Sequence, residues 1–333
     1  MSDGAGKTLG LSVVVPVYNG AATVGRLVAA LDSLPIERGL EIVLVYDGSP
    51  DGSLQACKDA AERARCPVTV VEHARNFGEH NAVMSGLRLA RGEWIVTMDD
   101  DLQNPPEEVT RLYDYARMSG KDVIYTFYAE TEHAWWRVAG SRFANWIADQ
   151  VIDKPKGLYL CSFRCMSAFV ARQVCDYRGP FPYVDGLIFQ ATESVGTLEV
   201  RHLPRAVGRS NYTLKRLVRL LTSIAVNFSI KPLHLATLAG AGLSALGVLG
   251  FLVVVLEAIF WEPPPGWASL LAATLLLSGT QLLLLGIIGE YLGRLYLIAS
   301  GKPQTVVRNV FLPNAKPAAE VIRLPEIDGR KAG

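Results

Sequence analysis

Two stretches of this chain, residues 233–256 and 267–289, contain no lysine, arginine, aspartate or glutamate. A helix needs roughly 20 apolar residues, at about 1.5 Å rise each, to cross the hydrocarbon core of a bilayer, and both stretches meet that length. Uncharged runs this long are rare inside soluble cores, so a membrane hairpin is expected, with spans over 233–260 and 267–293. The connection, EAIFWEPPPGW, carries three prolines, two tryptophans suited to a membrane interface and no basic residue. Lys215, Arg216, Arg219 and Lys231 precede the pair, and Arg294, Lys302 and Arg308 follow it. The positive-inside bias then predicts a multi-pass protein of the cytoplasmic membrane, with its large N-terminal region, its 294–333 tail and both termini cytoplasmic. The stretch LSVVVPVY is too short, and lacks the basic flank, to be a secretory signal.

With 33 basic against 32 acidic side chains in 333 residues, the chain has no net charge suited to nucleic acid, and no nucleic-acid partner is expected. Its five cysteines form no CxxC pair, which fits reduced cytosolic thiols. GAGKT at residues 4–8 imitates the end of a phosphate-binding P-loop, but Met1 stands where the first glycine should be and no strand leads into it. Residues 1–210 read as a mixed soluble domain. Within it strand and helix signals alternate: LSVVVPVYN, a helix over 22–34, EIVLVYDGS, a helix over 53–65, VTVVEH, a helix over 79–90, then EWIVTMDDD. That alternation predicts an α/β fold, a mostly parallel sheet wrapped by helices, whose ligands lie beyond the carboxyl ends of the strands.

The polar residues after those strands are Tyr18 and Asn19, Asp47, Arg75 and Asn76, and Asp99, Asp100 and Asp101. Three like charges at a strand end repel one another unless something positive holds them. A nucleotide diphosphate bound through a divalent cation satisfies the pattern, with Asp101 and Gln103 as hard oxygen ligands and Arg75 against phosphate charge. GxGxxG, P-loop and GxSxG signatures are all missing.

VVVPVYN, VYDGSPDGS, RNFGEHNAVMSGLRLARGEWIVTMDDDLQNPPEEV and, after the hairpin, GEYLGRLY resemble the family 2 glycosyltransferases that load sugars onto polyprenyl phosphate. The resemblance runs from about residue 11 to 310. It implies a GT-A fold, a nucleotide-diphosphate sugar donor with a UDP sugar as the leading expectation, Mg²⁺ or Mn²⁺, a polyprenyl phosphate such as undecaprenyl phosphate as acceptor, and inversion at the anomeric carbon. It places the DxD on Asp99 and Asp101, with Gln103 as the third metal contact. Pro16, Tyr18, Asp47, Arg75 and Asp99 fall on nucleotide-binding positions. Arg137 and Ser141, one helical turn apart, match the pair that meets the lipid phosphate, and Arg205, Gly208, Ser210 and Tyr212 match a segment that closes over the site. Asp99, Asp101, Arg137, Ser141 and Arg205 are the implied catalytic set.

Three positions depart from the family pattern. Gly20 stands for the acid that ends PVYNE, Tyr46 for the first acid of DDGS, and Ser162 for an acid before the FR pair. The first two sit where base and ribose are read. The third bears on mechanism, because a phosphate acceptor, whose second pKa is about 6, is already charged and needs no general base. Ser162 is thus either an acceptor-binding residue or a packing residue.

HAWWRVAGSRFANWIADQVI, about 133–152, and the segment 211–232 mix aromatic or apolar and basic residues at helical spacing. Both are expected to lie in the membrane interface, the alternative being packing against the domain. GEYLG at 289–293 carries a GxxxG spacing, which suggests a homo-oligomer. Two other functions share these features. One is a processive polysaccharide synthase, which would resemble its relatives in a QxxRW motif that is missing here, and the other is an inactive membrane scaffold.

Overall fold

The computed structural model describes residues 9–128, 158–179, 182–203, 266–301 and 303–313, with scattered positions between 237 and 260. The first half follows the expected alternation: β1 (Leu11–Val17), α1 (Val24–Asp32), β2 (Leu40–Tyr46), α2 (Ser53–Arg63), β3 (Val68–His73), α3 (Glu79–Leu87) and β4 (Trp94–Thr97). There follow α4 (Glu107–Ser119), β5 (Val123–Tyr128), β6 (Arg164–Ser167), α5 (Ala168–Cys175), α6 (Val184–Ala191), β7 (Val195–Val200), α7 (Trp267–Ala299) and β8 (Val307–Phe311). The chain divides into two compact units, one holding all eight strands and the other holding α7.

The eight strands form one sheet in the order β7-β5-β6-β4-β1-β2-β3-β8. β1 pairs in parallel with β2 and β4, and β2 with β3, while β6 and β8 run antiparallel to their neighbours. Strands buried on both faces need nearly continuous apolar sequence, which LSVVVPV and LEIVLVY supply, and the two buried polar side chains within them, Ser12 and Glu41, hydrogen-bond each other at 2.6 Å. Helix α1 buries Val24, Leu27, Val28 and Leu31, the stripe that 3.6-residue periodicity aligns on one face. Helix α4 starts behind Pro105 and Pro106 with Glu107 and Glu108 in its first turn, and ends at Gly120, whose φ of 65° is the left-handed cap.

Several expected boundaries shift. Helix α2 stops at Arg63 and α3 at Leu87, short of 65 and 90, and β4 ends at Thr97, so the three aspartates occupy the loop beyond it. Helix α7 runs past 293 to Ala299, because apolar residues resume after Arg294. Its part from Leu277 to Ala299 is long and apolar enough to cross a membrane, and Leu282, Leu285, Leu292 and Leu295 are exposed on it. The described positions between 237 and 260 are helical. The tail expected over 294–333 contributes β8 to the sheet.

Candidate active site

Sequence order runs from β1 to β2 and β3 on one side, while β4 lies on the other side of β1. Such a reversal opens a crevice at the carboxyl ends of β1 and β4. Met98 N donates to Val14 O at 3.2 Å, which turns even-numbered β1 residues toward β4, and the β1–β4 ladder stops at Val14↔Thr97. Pro16 therefore lacks its N–H on the side where no ladder bond remains to be made. Tyr18 follows, 49% exposed at the strand end.

The VYDGSPDGS segment braces this edge. Ser49 Oγ accepts from Asn19 N at 2.8 Å and Ser53 Oγ from Gly20 N at 2.9 Å, and both hydroxyls donate to Asp51. Tyr46 donates its hydroxyl to Ser49 O at 2.5 Å. Asp47 turns inward: its buried carboxylate accepts from Phe77 N at 2.9 Å, Gly78 N at 2.8 Å and His73 Nδ1 at 2.8 Å. Asp47 so folds the 75–78 loop over the strand ends, with Arg75 lying 4.6 Å over the Phe77 ring. Gly48, at φ 61°, is required beneath that loop, since a Cβ there would collide with the Arg75 and Asn76 backbone.

Beyond β4, Asp99 Oδ2 accepts from Ser162 Oγ at 2.8 Å, while Thr97 Oγ1 donates to Ser162 O at 2.6 Å. The hydroxyl at 162 thereby orients a carboxylate of the DxD pair. Asp101 is buried and accepts from Gln103 N at 3.1 Å across Leu102, whose φ of 61° is unusual for a branched side chain and marks a backbone held by its surroundings. The Gln103 amide nitrogen lies 3.3 Å from His202 Nε2, and Leu203 N donates to Gln103 O at 2.8 Å, which ties the segment after β7 to the aspartate loop. Asp100 points back at Gly20, where any Cβ would overlap its Oδ2. That oxygen is buried with no hydrogen-bond partner among the described residues. Burial, then the Asp99 and Asp101 charges, push the Asp100 carboxyl up to about 7, partly offset by the backbone N–H groups of Asp100 and Tyr18. Crowded carboxylates with hard oxygen donors fit a divalent cation, which relieves such repulsion.

Pro16, Tyr18, Asp47, Arg75, Asp99, Asp101, Gln103 and Ser162 thus converge on one sheet edge. Arg137, Ser141, Arg205, Gly208, Ser210 and Tyr212, the two interface segments and the loop at 261–265 lie outside the described residues.

Residues 12–176 match the model of glycosyl transferase family 2. An undecaprenyl-phosphate 4-deoxy-4-formamido-L-arabinose transferase from Pseudomonas aeruginosa is 34% identical over 319 residues, covering 93% of each chain. The chain belongs to glycosyl transferase family 2. A second family member of the same description, from Aeromonas hydrophila, is 32% identical over 329 residues, covering 93% of this chain and 98% of that one. Among solved structures, glucosyl-3-phosphoglycerate synthase from Mycobacterium tuberculosis, in complex with Mn²⁺, uridine diphosphate and phosphoglyceric acid, has a TM-score of 0.47 and 18% identity over 67% of this chain and 77% of that one.

Within this family 2 glycosyl transferase, sequence reasoning overlooked His73, Ser85 and His202. His73 closes the VTVVEH strand, and a histidine at the end of a strand of this sheet, beside the strand ends where ligands lie, is a signal that could have found it. His202 lies tilted against Tyr128 with ring centroids 4.1 Å apart, and no local spacing in the sequence announces that contact.

Proposed function

We propose that the protein transfers a sugar, with inversion at the anomeric carbon, from a nucleotide-diphosphate sugar to undecaprenyl or another polyprenyl phosphate at the cytoplasmic face of the inner membrane. The support is similarity to undecaprenyl-phosphate sugar transferases along 93% of the chain, with a strand-end carboxylate pair of the same family at the sheet's switch point.

Tyr18 and Pro16 frame the base at the end of β1. Asp47 acts through the 75–78 loop that it folds, which carries Arg75 to the diphosphate. Asp99, Asp101 and Gln103 hold Mg²⁺ or Mn²⁺, which supplies positive charge to the donor diphosphate. Arg137 and Ser141 receive the lipid phosphate, and Arg205, Ser210 and Tyr212 close over it. A phosphate oxygen of the acceptor forms the bond to the anomeric carbon as the bond from that carbon to the diphosphate oxygen breaks, and the nucleoside diphosphate departs. The attacking oxygen is already an anion, so no side chain has to remove a proton. The protein's task is to hold two anions in line and offset their charge. Ser162 is suited to this chemistry as the hydroxyl that steadies Asp99, with no duty as a base.

The test incubates membranes containing the protein with undecaprenyl phosphate and labelled UDP, GDP and dTDP sugars, and resolves the lipid products. A lipid-phosphate-linked sugar is expected, and its identity names the donor. Asp101→Asn is expected to fold normally and lose nearly all transfer, since an amide lacks the charge that holds a divalent cation. Parental activity of Asp101→Asn without added metal would overturn the metal site, and no lipid product from any donor would overturn the reaction.

A further inference from the structure

The structure assigns to residues 304–308, the segment leading into and beginning β8, the task of positioning the 75–78 loop. This rests on the proposed function only in taking that loop as the donor's diphosphate contact.

A buried line of polar side chains joins the two. The Asp47 carboxylate that holds Phe77 N and Gly78 N also meets His73 Nδ1 at 2.8 Å. On the other side of the ring, His73 Nε2 meets Ser85 Oγ at 2.9 Å, and Ser85 Oγ lies 3.4 Å from Thr305 Oγ1. Asp47, His73 and Ser85 are each at most 5% exposed, so water does not substitute for a lost partner. The same segment grips the root of the loop through its backbone. Ala74 N donates to Val306 O at 2.9 Å, Arg308 reaches Ala74 O at 3.4 Å, and the β3–β8 register shifts between Glu72 and His73, directly before the loop. Gln304 fixes the approach: its Oε1 accepts from Arg88 Nη2 at 2.5 Å and its Nε2 donates to Gly179 O at 3.0 Å.

The physical consequence is directional. With both imidazole nitrogens engaged, His73 has one ring orientation, and that orientation presents Nδ1 to Asp47. Loss of the Thr305 and Gln304 contacts frees Ser85, then the ring, then the carboxylate on which the two loop amides hang. His73, Ser85 and Thr305 are positioning residues that act through Asp47, and none is expected to touch substrate.

The experiment uses the full-length protein in detergent with Thr305→Val and Gln304→Ala combined, which leaves every backbone bond of β8 in place, and Ser85→Ala as an independent variant. Hydrogen exchange at the Phe77 and Gly78 amides is read alongside global stability and calorimetric binding of UDP with Mg²⁺. Faster exchange at those two amides is expected with the rest of the sheet unchanged. UDP affinity should fall about tenfold, the KM for the sugar donor should rise with it, and the KM for polyprenyl phosphate should stay as it is. Thr305→Ser should behave as the parent. Unchanged protection of Phe77 and Gly78 in the Thr305→Val, Gln304→Ala protein overturns the inference whatever the reaction is. Lost protection with unchanged UDP affinity upholds the positioning and overturns the donor-contact reading of the loop.

Discussion

Three residues that break the family pattern each acquire a partner in the fold. Gly20, where the pattern has an acid, makes room for Asp100, whose oxygen lies where a residue-20 side chain would start. The Tyr46 hydroxyl closes the DGS turn by reaching Ser49 O, and the Ser162 hydroxyl orients Asp99. Gly20→Ala is therefore expected to lose about 1–3 kcal/mol of stability through overpacking against Asp100. Adding Asp100→Ala should recover most of that loss, because the overlapping oxygen is gone. Additive losses in a denaturant double-mutant cycle would contradict this coupling.

Besides the apolar core, buried polar pairs join elements to one another. Arg164 of β6 meets Asp185 of α6, which also accepts from the Tyr125 hydroxyl of β5 at 2.8 Å. Both ends are nearly fully buried, so Asp185→Asn leaves a guanidinium without its counter-charge. A loss of about 3–5 kcal/mol is expected, read as a lowered denaturation midpoint. In the first turn of α3, burial pushes the His80 imidazole down from 6.5 to about 4, with Asp185 opposing and Arg164 assisting. Between those two values the unfolded chain holds the proton and the folded protein does not, so stability contributed here is present above 6.5 and falls as the pH drops toward 4. His80→Gln should remove about one proton of uptake on unfolding, which flattens the acid side of the stability profile. An unaltered slope between about pH 4.5 and 6.5 would show that His80 is solvated in the native state.

At the scale of the whole molecule, β7 and β8 belong to one sheet although the long apolar helix α7 lies between them in sequence. If α7 crosses a bilayer, a chain that leaves a folded domain and returns to it crosses that bilayer an even number of times, as the hairpin expected from the basic flanks would. In a background without Cys57, Cys66, Cys161, Cys165 and Cys175, Pro264→Cys should react with a membrane-impermeant maleimide in intact cells. Ser2→Cys should react only after lysis, and its labelling in unbroken cells would reverse the orientation and remove the enzyme from cytosolic nucleotide sugars.

The sequence by itself determined the parts whose signals are local. Apolar strands, one-turn helical spacing and the polar residues that follow each strand marked the first three βα units, the fourth strand and the edge where Tyr18, Asp47, Arg75 and Asp99 to Gln103 gather. It also marked the uncharged runs, since length against bilayer thickness is a local property. Contacts between distant positions were decided only by the tertiary structure. Nothing near residue 307 announces a strand that pairs with residues 70–73, and nothing near residue 47 shows that its carboxylate turns inward to His73 and two loop amides. The Gly20–Asp100 and Ser162–Asp99 pairs are likewise separated by 80 and 63 positions. A side chain's hydrogen-bond partners depend on which strands are neighbours in the sheet, and that order, with β4 and β6 on one side of β1 and β8 at the far edge, is a property of packing that no single stretch of sequence contains.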